Sequence, residues 1–185
     1  MSISTITPAP LTGTYAVDPV HSSFGFAVRH MGVSTFRGTF TDVAATVTAL
    51  PDGGGLTLTG EARADSISVV APPEMRAHLL SEDFFDADRH PTLTYASERV
   101  ELRDDGTLTV DGTLTIRNVS RRVVATGTWQ PPVDDPFGAT RAGIELTARI
   151  DRRDFGMAWN APLPRGGDAL GTAVDLTIHL ELLQG

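Results

Sequence analysis

The chain has 185 residues, 41% of them hydrophobic, no cysteine and a formal net charge of −8. That length fits a single domain with a buried core, and the acidity excludes general nucleic-acid binding. Without cysteine there is no disulfide, thiol nucleophile or thiolate metal site, and no apolar run approaches the roughly 18 residues of a membrane-spanning helix.

Residues 1–12 are rich in Ser, Thr and Pro and lack the basic start and apolar core of a signal peptide. They are expected to form a flexible tail ahead of one domain over 13–185, and the chain is expected to be cytoplasmic. From His21 to His30 the residues alternate, with Phe24, Phe26, Val28 and His30 on one parity, which predicts a long strand with an apolar face. Thr35 to Leu50 predicts a second, with Phe36, Gly38 and Phe40 passing to Val43, Ala45 and Val47 across a bulge near Thr41–Asp42. Gly53 to Gly55 predict a turn, and Leu56 to Ala64 alternate again. Pro72 to Leu80 predicts a short helix, with proline at its start and Glu74 in its first turn, and Asp83 to Pro91 a loop. Leu93, Tyr95 and Ser97 change parity to Val100 and Leu102, a second bulge, before the hairpin signal Asp104-Asp105-Gly106. Strands follow over 108–116, 122–130, 141–151 and 172–183, with loops at 131–138 and 161–171. About eight antiparallel strands with bulges and interior glycines predict an all-β barrel able to hold one ligand.

Four ordered blocks then resemble one family, the YceI-like, polyisoprenoid-binding proteins. They are Tyr15 to Phe40 (Y-A-V-D-P-V-H-S-S-F-G-F-A-V-R-H-M-G-V-S-T-F-R-G-T-F), His78 to Thr92 (H-L-L-S-E-D-F-F-D-A-D-R-H-P-T), Gly112 to Val123 (G-T-L-T-I-R-N-V-S-R-R-V) and Ile150 to Asn160 (I-D-R-R-D-F-G-M-A-W-N). Met75-Arg76 stand where the family usually has an Arg-Asp pair. The resemblance implies an eight-stranded antiparallel lipocalin-like β-barrel with one short helix-containing lid. It also implies a non-enzymatic carrier whose ligand is a long-chain amphiphile such as a polyisoprenoid or isoprenoid quinone. No cofactor is required and no catalytic residue is implied. A homodimer and transient membrane contact are compatible with it.

Phe24, Phe26, Val28, Phe36 and Phe40 read either as packed core or as a ligand wall. With the resemblance they become a wall, together with the lid residues Leu79, Phe84 and Phe85 and with Tyr95, Ile150, Phe155 and Trp159. His30 reads as a hydrogen-bonded structural histidine or as a head-group contact. Arg76, His78, Arg152, Asp154 and Asn160 join it as head-group candidates, although Arg152-Arg153-Asp154 also reads as ion pairing that fixes a turn. His21 is expected to be structural and His179 to face solvent. Asp86, Asp88 and His90 have metal-like alternation but no second ligand cluster, so no metal site is expected. Two other readings stay open: an enzyme using His30 or the Asp86–His90 loop as acid–base groups, and a structural module with a filled barrel.

Overall fold

The computed structural model describes residues 11–50, 55–69 and 72–185. Ten strand segments are β1 (Thr14–Val17), β2 (Ser23–His30), β3 (Ser34–Phe40), β4 (Val43–Ala49), β5 (Leu56–Arg63), β6 (Thr92–Leu102), β7 (Thr107–Ile116), β8 (Val119–Asp134), β9 (Thr140–Asp151) and β10 (Leu170–Gln184). One helix, α1 (Pro73–Leu80), interrupts them. The sheet order is β1-β4-β5-β6-β7-β8-β9-β10-β2-β3, every neighbour antiparallel, and β1 also pairs with β10. β1 and β2 are two halves of one bent stave, as are β3 and β4. Eight staves therefore close into a barrel, as predicted.

The bends have local causes. The Asp18 carboxylate accepts from Val20 N (2.9 Å) and bonds His21 Nδ1 (2.9 Å), turning the chain between β1 and β2. The strand therefore begins at Ser23 rather than His21. The expected bulge at Thr41–Asp42 is a break between β3 and β4, where Thr41 N bonds Ser66 O at 3.1 Å instead of a strand partner. The second expected bulge is present, as a register shift between Ser97 and Arg99.

Three boundaries differ from expectation. Leu11 is buried in the core and Thr12 O accepts from Gln184 Nε2 (2.7 Å), so the barrel starts before Gly13; residues 1–10 lie outside the described residues. Pro131 and Pro132 sit inside β8, not in a loop, because the register slips between Gln130 and Val133 where their missing N–H groups are tolerated. The β7–β8 turn is Arg117–Asn118, both at positive φ, so the strand begins at Val119 rather than Arg122, and Arg122 pairs with Asp111 on the outer face. The expected turn at Gly53 and Gly54 lies outside the described residues.

The two barrel ends differ. At one end Tyr15, Val47, Leu108, Val110, Ile144 and Leu182 are fully buried and fill the interior. Trp129 joins this packing, its Nε1 donating to Arg103 O at 3.2 Å. At the other end stand the β2–β3 hairpin, α1 and the 3-10 turn Arg152–Phe155.

Candidate ligand cavity

Between the packed end and α1 the interior is a cavity in two chambers. The inner chamber, about 130 Å³, is lined by Phe24, Leu58, Tyr95, Leu146 and Ile178 among others. The outer chamber, about 570 Å³, is lined by Val28, His30, Phe36, His78, Leu79, Phe84, Ile150 and Trp159 among others. Phe26, Phe40, Leu93, Ile116 and Leu176 line both, so the chambers meet at a neck. Phe26 packs at 6.0 Å on Phe36 and 5.9 Å on Phe40, and Phe85 meets Phe40 edge-on at 5.6 Å. Gly38, opposite Phe26 in the ladder, lets that ring lie across β3: a Cβ there would stand 2.6 Å from its Cζ.

The inner chamber's one aromatic hydroxyl is already engaged. Tyr95 Oη donates to Val110 O (3.3 Å) or Val123 O (3.1 Å), and burial pushes its pKa up to about 12. Polar side chains gather in the outer chamber: His30, Ser34, His78 and Arg152. Arg152 is 4% exposed. Its Nε donates to Gly171 O (2.9 Å) and its Nη1 to Met157 O (2.5 Å) and Trp159 O (2.8 Å). Burial pushes the guanidinium below its ordinary pKa, with Asp151 opposing. No carboxylate lies within ion-pair distance of it among the described residues.

The lid is fastened by guanidinium–carbonyl hydrogen bonds. Arg76 donates to Asp65 O (2.6 Å) and Ile67 O (3.4 Å), and Arg117 Nη1 donates to Phe84 O and Gly156 O, both at 3.0 Å. His78 bonds Asp83 (2.9 Å) and meets the rings of Phe84 and Trp159 edge-on at 5.1 and 4.6 Å.

Most of the anticipated wall comes together on the cavity: Phe24, Phe26, Val28, His30, Phe36, Phe40, Leu79, Phe84, Phe85, Tyr95, Ile150 and Trp159, with His78 and Arg152. Four anticipated residues do not line it. Phe155 is 1% exposed and packs behind the wall with Ile116 and Met157. Arg76 is committed to the carbonyls just named. Asp154 is exposed, while the neighbouring Asp151–Arg153 pair fixes the turn. Asn160 clips its loop to β10, accepting from Leu170 N (2.9 Å) and donating to Leu170 O (2.7 Å).

Of the other titratable groups, His21 is structural and His179 is exposed, as expected. Asp88 is exposed, whereas Asp86 is buried and faces His90 at 3.7 Å. Asp18, His21 and Glu181 have ligand atoms within 4.8 Å of one another. The Arg141 guanidinium occupies both carboxylates, at 3.0 Å from Asp18 and 2.5 Å from Glu181. Leu93, Ile116, Met157 and Leu176 were not anticipated on the wall; for Ile116 and Leu176 the signal was the inward parity of β7 and β10. Arg117 carried no signal beyond its place in a turn.

Fold and cavity together define a lipocalin-like antiparallel barrel with an elongated apolar interior under a helical lid. The family model described as the YceI-like domain matches residues 15–182, and the chain belongs to that family. It is 28% identical over 184 residues to a UPF0312 protein of Vibrio cholerae, covering 92% of this chain and 87% of that protein. A UPF0312 protein of Ectopseudomonas mendocina is 30% identical over 151 residues, 78% of this chain and 77% of that protein. Solved structures share the fold. Burkholderia cenocepacia BcnA has a TM-score of 0.71 at 20% identity, covering 89% of this chain and 98% of its own. A Saccharophagus degradans domain, described as polyisoprenoid binding and implicated in plant cell wall breakdown, has a TM-score of 0.66 at 11% identity, covering 92% of this chain and 98% of its own.

Proposed function

We propose that this barrel carries a long-chain amphiphile of the polyisoprenoid or isoprenoid-quinone class and performs no chemistry on it. The gradient along the cavity carries the reading. Its inner chamber and neck offer only apolar contact beyond the engaged Tyr95 hydroxyl, and its free polar capacity lies under the lid. A tail passing the neck gains about 0.8 kcal/mol for each methylene buried. His30, Ser34 and Arg152 stand where a polar head would remain. Arg152 suits a phosphate, carboxylate or quinone oxygen, because its Nη2 donates to no described residue while its other nitrogens are held. The polyisoprenoid binding ascribed to the Saccharophagus degradans domain supports the same ligand class.

The carrier reading is favoured over catalysis because the two basic groups nearest the lid, Arg152 and His78, are engaged by structural partners. Arg152 holds three carbonyls and His78 holds Asp83. Quenching of Trp159, on the outer-chamber wall, by a titrated isoprenoid quinone tests the proposal. Saturable binding that strengthens with tail length is the expected outcome; indifference to tail length would sink it.

A further inference from the structure

The β2–β3 hairpin at the cavity mouth is built unlike the rest of this acidic surface. Its tip, Met31-Gly32-Val33, turns two apolar side chains outward, Met31 at 46% and Val33 at 81% exposure. Met75 of the lid, 41% exposed, lines the same mouth. Apolar residues at a rim expose area that water penalises unless something covers it. Behind the tip stand Arg29 and Arg37, outward on β2 and β3, and residues 23–40 contain no Asp or Glu. Neither arginine pairs with a carboxylate among the described residues. Arg29 instead donates to Gly32 O and Thr35 Oγ1, and Arg37 to Thr35 O. Arg165, in the loop whose Ala169 O accepts from Met31 N (2.7 Å), is exposed and likewise pairs with no described carboxylate.

We propose that this mouth docks on an anionic lipid bilayer, the Met31–Val33 tip entering the interface and the arginines meeting lipid phosphates. The proposal rests on the reading that the cavity takes a bilayer lipid, and it adds the surface through which that lipid passes. Dimensions and charge agree with it. Arg29 lies two residues behind Met31, roughly 7 Å along the strand, and interfacial elements bury about 5–10 Å into the headgroup boundary. Long arginine side chains bury their stems and keep the charge among the headgroups. The other strongly exposed apolar group, Val20, Val133 and Phe137, occurs where Asp18, Asp135 and Glu181 cluster around Arg141. That acidic setting would repel an anionic surface, which selects the hairpin end. The lid carries Glu74 and Glu82 beside Arg76, so the hairpin rather than α1 is the anchor.

Flotation of the full chain with phosphatidylcholine vesicles, with and without phosphatidylglycerol, tests this. The protein is expected to float with the anionic vesicles and to be released by high salt. Arg37→Gln should weaken partitioning about fivefold. Val33→Asp should abolish it while leaving the melting temperature and the uptake of a soluble short-chain quinone analogue unchanged. Equal binding to neutral vesicles, no flotation, or flotation indifferent to Val33→Asp would overturn the proposal. So would sedimentation showing that Val33→Asp splits a dimer, which would assign the tip to a second copy of the chain. A protein that binds quinone but does not float refutes the docking alone; one that floats but binds no quinone refutes the carrier reading and leaves the docking standing.

Discussion

Gly38→Ala probes the neck between the chambers. The new methyl group would stand 2.6 Å from Phe26 Cζ and 2.7 Å from Cε1, about 1 Å inside ordinary contact. The backbone ladder fixes Gly38 against Phe26, so the ring must yield, and both chambers lie on its free side. Overpacking of this kind costs about 1–3 kcal/mol, and a chain of this length loses roughly 2–4 °C of melting temperature per kcal/mol. The larger effect falls on the ligand. A chamber of about 130 Å³ takes roughly four methylenes if each is about the size of a water molecule. Closing it forfeits about 3 kcal/mol of burial, a loss of roughly two orders of magnitude in affinity for tails long enough to pass the neck. Calorimetric titration with a homologous series of n-alkyl carboxylates reads this directly. In the unmodified protein affinity should rise with each carbon and then level; in Gly38→Ala it should level about four carbons earlier, with short tails unaffected. Identical chain-length profiles would refute the neck, and with it the continuity of the two chambers.

Other outcomes follow from single contacts. Arg152→Met leaves three carbonyls without their donor and should cost about 3–5 kcal/mol in urea unfolding; a cost below about 1 kcal/mol would show that the guanidinium is not a structural hub. Tyr95→Phe removes a hydroxyl bonded to main-chain carbonyls and should cost about 1 kcal/mol without altering ligand affinity. At the packed end, the hydrogen bond to Asp18, helped by Glu181, raises the pKa of His21, while bonds to His21 and Arg141 lower that of Asp18. The His21 contribution is fully present below about pH 6.5 and is lost as pH rises through its raised folded value. The Asp18 contribution is present above about pH 3.9 and is lost as pH falls through its lowered folded value. Melting temperature should therefore plateau between these values, and His21→Gln should flatten the alkaline side and, by removing the main partner of Asp18, shrink the acid side as well.

Much of the barrel was legible because strand periodicity is local. Phe24, Phe26, Val28, Phe36 and Phe40 share an inward parity that survives the breaks at 18–22 and 41–42. What parity could not distinguish is an inward residue facing a cavity from one packed against a neighbour. Phe155 reads like Trp159 in the same block, yet it is sealed behind Ile116 while Trp159 lines the mouth. The head-group candidates divided for a related reason. Arg76, Asn160 and Arg152 all hold distant carbonyls, but only Arg152 does so at the cavity wall. Which carbonyl a long side chain reaches depends on how the barrel closes, and no local pattern encodes that. Pro131 and Pro132 misled in the opposite direction, since a register slip accommodates them inside β8.

A cavity that holds the tail of a long-chain amphiphile should retain that ligand through purification. Extraction of the natively purified protein into organic solvent, followed by mass spectrometry, tests it most directly. The expected extract holds a stoichiometric long-chain species, isoprenoid in its mass increments, that is depleted in Gly38→Ala. An extract without lipid, from protein that also fails to bind added isoprenoid quinone, would contradict it.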